Sequence, residues 1–161
     1  MRSPGLDEAG WAKLLRFAEL LGERGPGLGL IGERDAPHAL PRHVLDSVRA
    51  ASAIHPSDVD AYDIGSGAGL PGIPLAIARP QLGVGLVEVR RTRIAWLELM
   101  IGELGLSNAR VIPVRAEELT EEVDVCLARA FAPLPGAWGV ARGLLRPGGR
   151  LVYFAGRTQR D

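Results

Sequence analysis

Cysteine, lysine and aromatic residues are scarce in this chain, and charge of neither sign is in excess. The single cysteine, Cys126, excludes an intrachain disulfide framework, and its setting in an apolar run marks it as a buried, inert thiol. That usage fits a reducing compartment. Acidic and basic residues balance to zero net charge, so no global field draws the chain to nucleic acid; any such contact has to come from a local basic patch. Lys13 is the only lysine, and arginine carries the rest of the positive charge. The chain also lacks a charged leader followed by an apolar stretch, and no uninterrupted apolar run reaches the roughly 20 residues of a membrane span. A cytoplasmic chain without a membrane anchor is expected. What remains is ample core: 47% of the 161 residues are apolar, which suits one domain over 1–161.

Residues 1–54 read as helical. Trp11, Leu14, Leu15, Ala18 and Leu21 recur at the spacing of one helical face, and the following "GERGPGLGLIG" reads as a loop. A second helix is expected from about Pro41, burying Val44, Leu45, Val48 and Ala51 and leaving His43, Asp46, Ser47 and Ala50 on another face. From Val59 the rhythm changes. "VDAYDIG", "GVGLVEV", "ARVIPV", "VDVCLARAF" and "GRLVYFAG" read as short strands separated by helical or turn segments. That alternation, over 55–161, implies right-handed crossovers and an α/β fold with a mostly parallel, doubly wound sheet. Ligands of such sheets bind beyond the carboxyl ends of the strands, where strand order reverses.

The turn after the first strand, "DIGSGAGLPG", is where that expectation becomes chemistry. Gly65, Gly67 and Gly69 permit positive φ and close approach of a ligand to the backbone, and the helix begun by Leu70, Pro71 and Gly72 would offer unpaired N–H groups. Gly67, Gly69 and Gly72 also satisfy G-x-G-x-x-G, so a dinucleotide has to be weighed. Asp63 tips the balance: a carboxylate at the tip of the strand would repel a pyrophosphate but suits the cationic amino group of S-adenosyl-L-methionine (SAM). Glu88, at the end of the second strand, is placed to accept from ribose hydroxyls of either cofactor.

With "HVLDS", "DIGSGAGLPGIPLAIARP", "VEVRRTRIAWL", "VRAEEL" and "ARAFAPL" in that order, the sequence resembles the small-subunit ribosomal RNA methyltransferase G family, also called glucose-inhibited division protein B, over roughly 10–156. The "GLPGIPLAI" continuation is far more specific than the glycine turn. The resemblance implies a Rossmann-like class I SAM-dependent methyltransferase fold with an N-terminal helical segment. It also implies methylation of N7 of one guanine of 16S ribosomal RNA, in the 30S subunit. No metal is expected, because the three histidines lack further clustered Cys, Asp or Glu ligands. SAM would be held by Asp63, Gly65, Ser66, Gly67, Gly69, Leu70 and Glu88, with Ala116 and Glu117 beside the adenine.

Methyl transfer from a sulfonium is an in-line displacement, and guanine N7 already carries a free lone pair, so positioning outweighs general-base chemistry. Arg129, at the end of the fourth strand, is the candidate catalytic residue: its fork can bond guanine O6 or a phosphate bidentately. Arg90, Arg91 and Arg93 crowd the first turn of a helix, where the macrodipole disfavours cations; RNA phosphates or a solvated charge run both account for them. Arg115 would extend the patch. The resemblance assigns His43, Asp46 and Ser47 to the acceptor side, where sequence alone reads a minor stabilising pair.

Three features depart from the family pattern. "GERGPGLGLIG" stands where the family commonly has W-N-x-x-x-N-L-T, and Ala155 stands where it often has a lysine. Family members also usually continue through two more strands and a helix, so strand five is expected to be an edge here. A non-catalytic SAM-binding homologue is the serious rival reading, and a nicotinamide-dependent oxidoreductase the weaker one.

Overall fold

The computed structural model describes residues 6–155. The first helix, α1 (Glu8–Arg24), starts because Asp7 caps it, its carboxylate accepting from the Gly10 N–H at 2.8 Å. It buries Leu14, Phe17, Ala18, Leu20 and Leu21, whereas Trp11 and Leu15, expected on that face, are exposed. The apolar stripe is rotated toward Phe17 and Leu20, the positions that meet the rest of the core. A turn-rich loop follows to Asp35.

The second helical segment is not one helix from Pro41. It runs as a 3-10 turn (Ala36–His38), a wider π-type turn (Ala39–Val44), a single α turn, α2 (Leu45–Val48), and a further 3-10 turn (Arg49–Ala53). Val44, Val48 and Ala51 are buried as expected, but Leu45 is only half-buried, and Ser47 and Ala50 go inside. The changes of winding break the regular spacing on which a two-face reading depends.

Five parallel strands follow: β1 (Asp60–Ile64), β2 (Gly83–Val87), β3 (Ala109–Ile112), β4 (Val123–Arg129) and β5 (Leu145–Phe154), in the order β3-β2-β1-β4-β5. The chain moves outward from β1 to β3 and then returns to β4 on the other side. The reversal therefore lies between β1 and β4, at the ends carrying Ile64 and Arg129.

Side chains alternate across the sheet. Ala61, Val84, Leu86, Val125 and Leu127 face one apolar cluster, shared with α1, α3 (Gly72–Ala78) and α4 (Arg91–Leu104). Tyr62, Ile64, Val87, Cys126 and Ala128 face the other, shared with Ala137 and Ala141 of α5 (Leu134–Ala141). Burial pushes the Cys126 thiol up to about 12, in keeping with the inert reading.

β5 begins earlier than the sequence suggests. Leu145 pairs with Val123 before the "RPGG" irregularity, and regular pairing resumes at Val125 with Arg150. Its expected last residue, Gly156, lies outside the described residues. Among these, β3 and β5 form the sheet's edges. At the amino ends of the strands, Arg146 clamps Asp60 and Asp124 at 2.6 to 2.9 Å. A cavity of about 810 Å³ opens there, lined by residues such as Gly83, Arg110 and Glu121, at the end of the sheet opposite the glycine turn.

Candidate functional site

The glycine turn is built around Asp63. Its carboxylate is fully buried; Oδ2 accepts from the Ser66 hydroxyl at 2.7 Å and the Gly72 N–H at 2.9 Å, while Oδ1 has no partner. Burial raises its pKa from 3.8 to about 6, against the lowering pull of those two hydrogen bonds. Gly65, Gly67 and Gly69 have φ of +68°, +57° and +88°, the left-handed values glycine tolerates best. A Cβ on Gly72 would overlap Asp63 and Leu86, so the carboxylate and this glycine require each other. Above Gly67, by contrast, an added Cβ would find nothing nearer than the Arg93 guanidinium at 3.8 Å.

Glu88 closes the turn from β2. Its Oε2 accepts from Gly67 N–H at 3.0 Å, and its Oε1 accepts from the N–H groups of Val89 at 2.8 Å and Arg90 at 3.0 Å. Arg93 stands 3.8 Å from Oε2. The indole of Trp96, on α4, donates to the Ala68 carbonyl at 3.0 Å and pins the turn from behind. Sequence reading passed over Trp96; a tryptophan with a polar tip on a buried helix face was the available signal.

These bonds alter one expectation. The N–H groups of Ser66, Gly67, Gly69 and Gly72 are spent on Val87 O, Glu88, Ser66 O and Asp63, so the helix start does not present the row of free donors a pyrophosphate needs. Two carboxylates at the turn add to that mismatch and suit a cation. Leu70 is buried and Pro71 occupies the cap position, with helix geometry beginning only at Gly72. Ala116 is buried in the same apolar cluster as Val87, on the 3-10 turn Ala116–Glu118, and Glu117 beside it is exposed.

Across the reversal point lies the second half of the site. Arg129 ends β4 with its side chain about one-fifth exposed; its Nη1 donates to Ser47 Oγ at 3.2 Å and lies 3.6 Å from Asp46, and its Nη2 is 3.1 Å from His43 Nδ1. The guanidinium also sits 5.7 Å from the centre of the Phe154 ring. Every polar residue singled out in "HVLDS" thus meets Arg129. Burial lowers the guanidinium pKa, and Asp46 and Asp63 oppose that.

Ala130 follows with φ of +53°, a left-handed value costly for a residue with a Cβ. That kink sends Phe131 back over Gly65, where its ring would meet a Cβ at 2.7 Å. The arginine and the glycine turn are therefore locked to one another, a contact invisible in sequence.

Other expectations separate from this centre. Ser47 is fully buried and donates to the His43 carbonyl at 2.6 Å, so it supports Arg129 from inside rather than facing an acceptor. Arg93 turns toward Glu88 and Gly67, which explains its place without RNA. Arg90, Arg91 and Arg115 are exposed, and no ion pair engages them among the described residues.

The family model described as rRNA small subunit methyltransferase G matches residues 11–161. Ribosomal RNA small subunit methyltransferase G of Clavibacter sepedonicus is 42% identical over 142 residues, covering 87% of this chain and 66% of that protein. The protein of the same name from Thermobifida fusca is 44% identical over 143 residues, covering 88% and 60%. The chain thus spans 60 to 66% of the length of these relatives. Among solved structures, a SAM-dependent methyltransferase from Geobacter sulfurreducens in complex with S-adenosyl-L-homocysteine shares the fold, with TM-score 0.55 and 21% identity over 68% of this chain and 46% of that one. A structure titled as a putative SAM-dependent methyltransferase from Methanococcus maripaludis gives TM-score 0.60 and 16% identity, covering 84% and 61%.

Proposed function

Because the chain belongs to the rRNA small subunit methyltransferase G family and has the fold of SAM-dependent methyltransferases, we propose that it binds SAM at the glycine turn and methylates N7 of a guanine in 16S ribosomal RNA. The single observation that carries the reading is the placement of Arg129: it ends β4 beside the strand-order reversal and is tied to the glycine turn through Ala130 and Phe131.

The turn's residues fit the cofactor. The unpartnered Oδ1 of Asp63 marks a buried anion that lacks a donor, Glu88 offers a fixed carboxylate for a ribose diol, and a Cβ on Gly67 would be accommodated, with Arg93 and the Gly65 carbonyl at 3.8 Å. When bound, SAM supplies an electrophilic methyl group and departs as a neutral thioether. The chain's task is then to align an acceptor nitrogen with that methyl and to withstand the transfer of positive charge to the guanine. No proton has to be removed from N7, and His43, the imidazole nearest the site, is engaged by Arg129 rather than free as a base. Arg129 retains donors beyond those directed at Ser47 and His43, and these would hold O6 or a phosphate of the acceptor. Arg90, Arg91 and Arg115 supply exposed positive charge for the flanking RNA backbone, the local patch that a chain of zero net charge needs. The assembled 30S subunit in the cytoplasm is the proposed setting; among the described residues no helix is long and apolar enough to cross a membrane.

Incubation with methyl-tritiated SAM and 30S subunits lacking the modification, followed by N7-specific strand cleavage, tests the reading. Label at one 16S guanine is the expected result. SAM binding by calorimetry without label would support a silent SAM-binding homologue, and enhanced fluorescence of NADH without SAM binding would support the oxidoreductase.

A further inference from the structure

We infer that neutral His43 is the positioning residue for Arg129: by accepting a guanidinium N–H at Nδ1 it fixes where the arginine's remaining donors point, and its protonation releases them. This deepens the role proposed for Arg129 and rests on it.

The geometry at His43 admits one tautomer. Nδ1 lies 3.1 Å from a guanidinium nitrogen, which has only donors to offer, so Nδ1 has to be the acceptor and the ring proton sits on Nε2. Nε2 is buried without a hydrogen-bond partner, and Asp35 Oδ2 lies 3.9 Å away. A second proton, placed on Nδ1, would set donor against donor and cation against cation. The protein resists that state: burial lowers the imidazole pKa first and Arg129 next, with Arg42 adding to them and Asp35 and Asp46 opposing. Asp35 comes from the preceding loop, Arg42 and Asp46 from the ring's own segment, and Arg129 from β4. Asp35 is itself paired with Arg42 at 3.0 Å, and Asp46 faces Arg49 at 3.3 Å as well as Arg129 at 3.6 Å, so neither carboxylate is free to neutralise an imidazolium fully.

The remaining anchors of Arg129 do not replace the imidazole. Ser47 and Asp46 both engage Nη1, leaving His43 the sole polar partner of Nη2 among the described residues. Lose it, and the guanidinium pivots about Nη1 while staying on the protein. That distinguishes His43 from an acceptor contact: its effect should fall on kcat rather than on KM for the acceptor.

Nitrogen-15 NMR of the full chain tests this without any RNA. The expected result is a neutral His43 with unprotonated Nδ1, and side-chain Arg129 signals, assigned by their loss in Arg129→Lys, that shift with the His43 titration. In His43→Asn, whose Oδ1 can replace Nδ1 as acceptor, those signals should be flat across the same pH range. Protonated Nδ1 in the neutral ring, or Arg129 signals indifferent to the titration, would overturn the inference.

Kinetics with varied 30S subunits at saturating SAM supply the second readout. kcat should fall by about tenfold per pH unit below the His43 midpoint, the slope of a single ionisation. His43→Ala should lower kcat by about tenfold or more with KM for the 30S subunit unchanged, and His43→Asn should recover most of that loss without the acid limb. An equal loss in both variants would count against positioning. If the wild-type chain transfers no methyl group while the NMR linkage stands, the acceptor reading fails and the His43–Arg129 coupling survives.

Discussion

Lowering the pH should weaken SAM binding through Asp63, and the size of the effect follows from its burial. In the free protein this carboxyl titrates at about 6 rather than 3.8. The raised value means that the neutral form favours the fold: that contribution is complete below 3.8 and is lost as pH rises through about 6. The difference corresponds to about 3 kcal/mol of strain held by the ionised, half-satisfied carboxylate at neutral pH. A bound cation reverses the balance, since one within about 4–6 Å lowers a carboxylate by about 1–3 units. SAM would then bind the ionised form and release a proton wherever the free protein carries one. Affinity should be nearly constant between pH 7 and 7.5 and about tenfold weaker at pH 5. Near pH 6, about half a proton should be released per SAM bound, seen as an enthalpy that varies with the ionisation enthalpy of the buffer. Calorimetry from pH 5 to 7 keeps the ligand's own amino group, with a pKa of about 7.7–8.0, protonated. Asp63→Asn should abolish the pH dependence and bind SAM about tenfold or more weakly throughout. A flat affinity with buffer-independent enthalpy in the wild-type chain would refute the cation assignment.

Arg129→Ala should leave SAM affinity within about threefold and reduce methyl transfer by about 100-fold or more, read by calorimetry and by label incorporation. Ala130→Gly should raise thermal stability by about 0.5–1 kcal/mol, because glycine removes the left-handed strain; an unchanged or lower Tm would show that the kink is not strained. Trp96→Phe should cost about 1 kcal/mol through the lost bond to Ala68 O and weaken SAM binding by loosening the turn, as measured by denaturant unfolding and calorimetry. Cys126 should resist alkylation in the native state and react only at the rate of global unfolding, as followed by mass spectrometry.

The sheet was legible in sequence because each strand is a short apolar run between breakers, and its parallel order follows from the intervening helices. Asp63, the three glycines and Glu88 were legible for a related reason: strand tips and a glycine turn occupy fixed places in such a fold. Their bonding was not. Nothing in "DIGSGAGLPG" reveals that the Gly72 N–H is taken by Asp63, or that Phe131, more than sixty residues on, seals Gly65. The helical segment before β1 was the least legible, since it changes winding several times within eighteen residues, Ala36 to Ala53, and periodicity then fails to separate an inner from an outer face.

That irregularity has a use which the positions of His43 and Ser47 make visible. Ser47 bonds back to the carbonyl of His43, a local bond that competes with regular helix and tends to bend it. The same hydroxyl oxygen is then left to accept from Arg129, and the carbonyl it holds belongs to the residue whose ring takes the other arm of the guanidinium. A straight helix from Pro41 with Ser47 on its outer face would leave the serine in solvent. The change of winding from the π turn to α2 accompanies the meeting of serine and histidine at the end of β4, where strand order reverses. The helical segment thus borders the candidate site as well as packing on α1 and α3, and regularising it should cost Arg129 its geometry before it costs the fold its core.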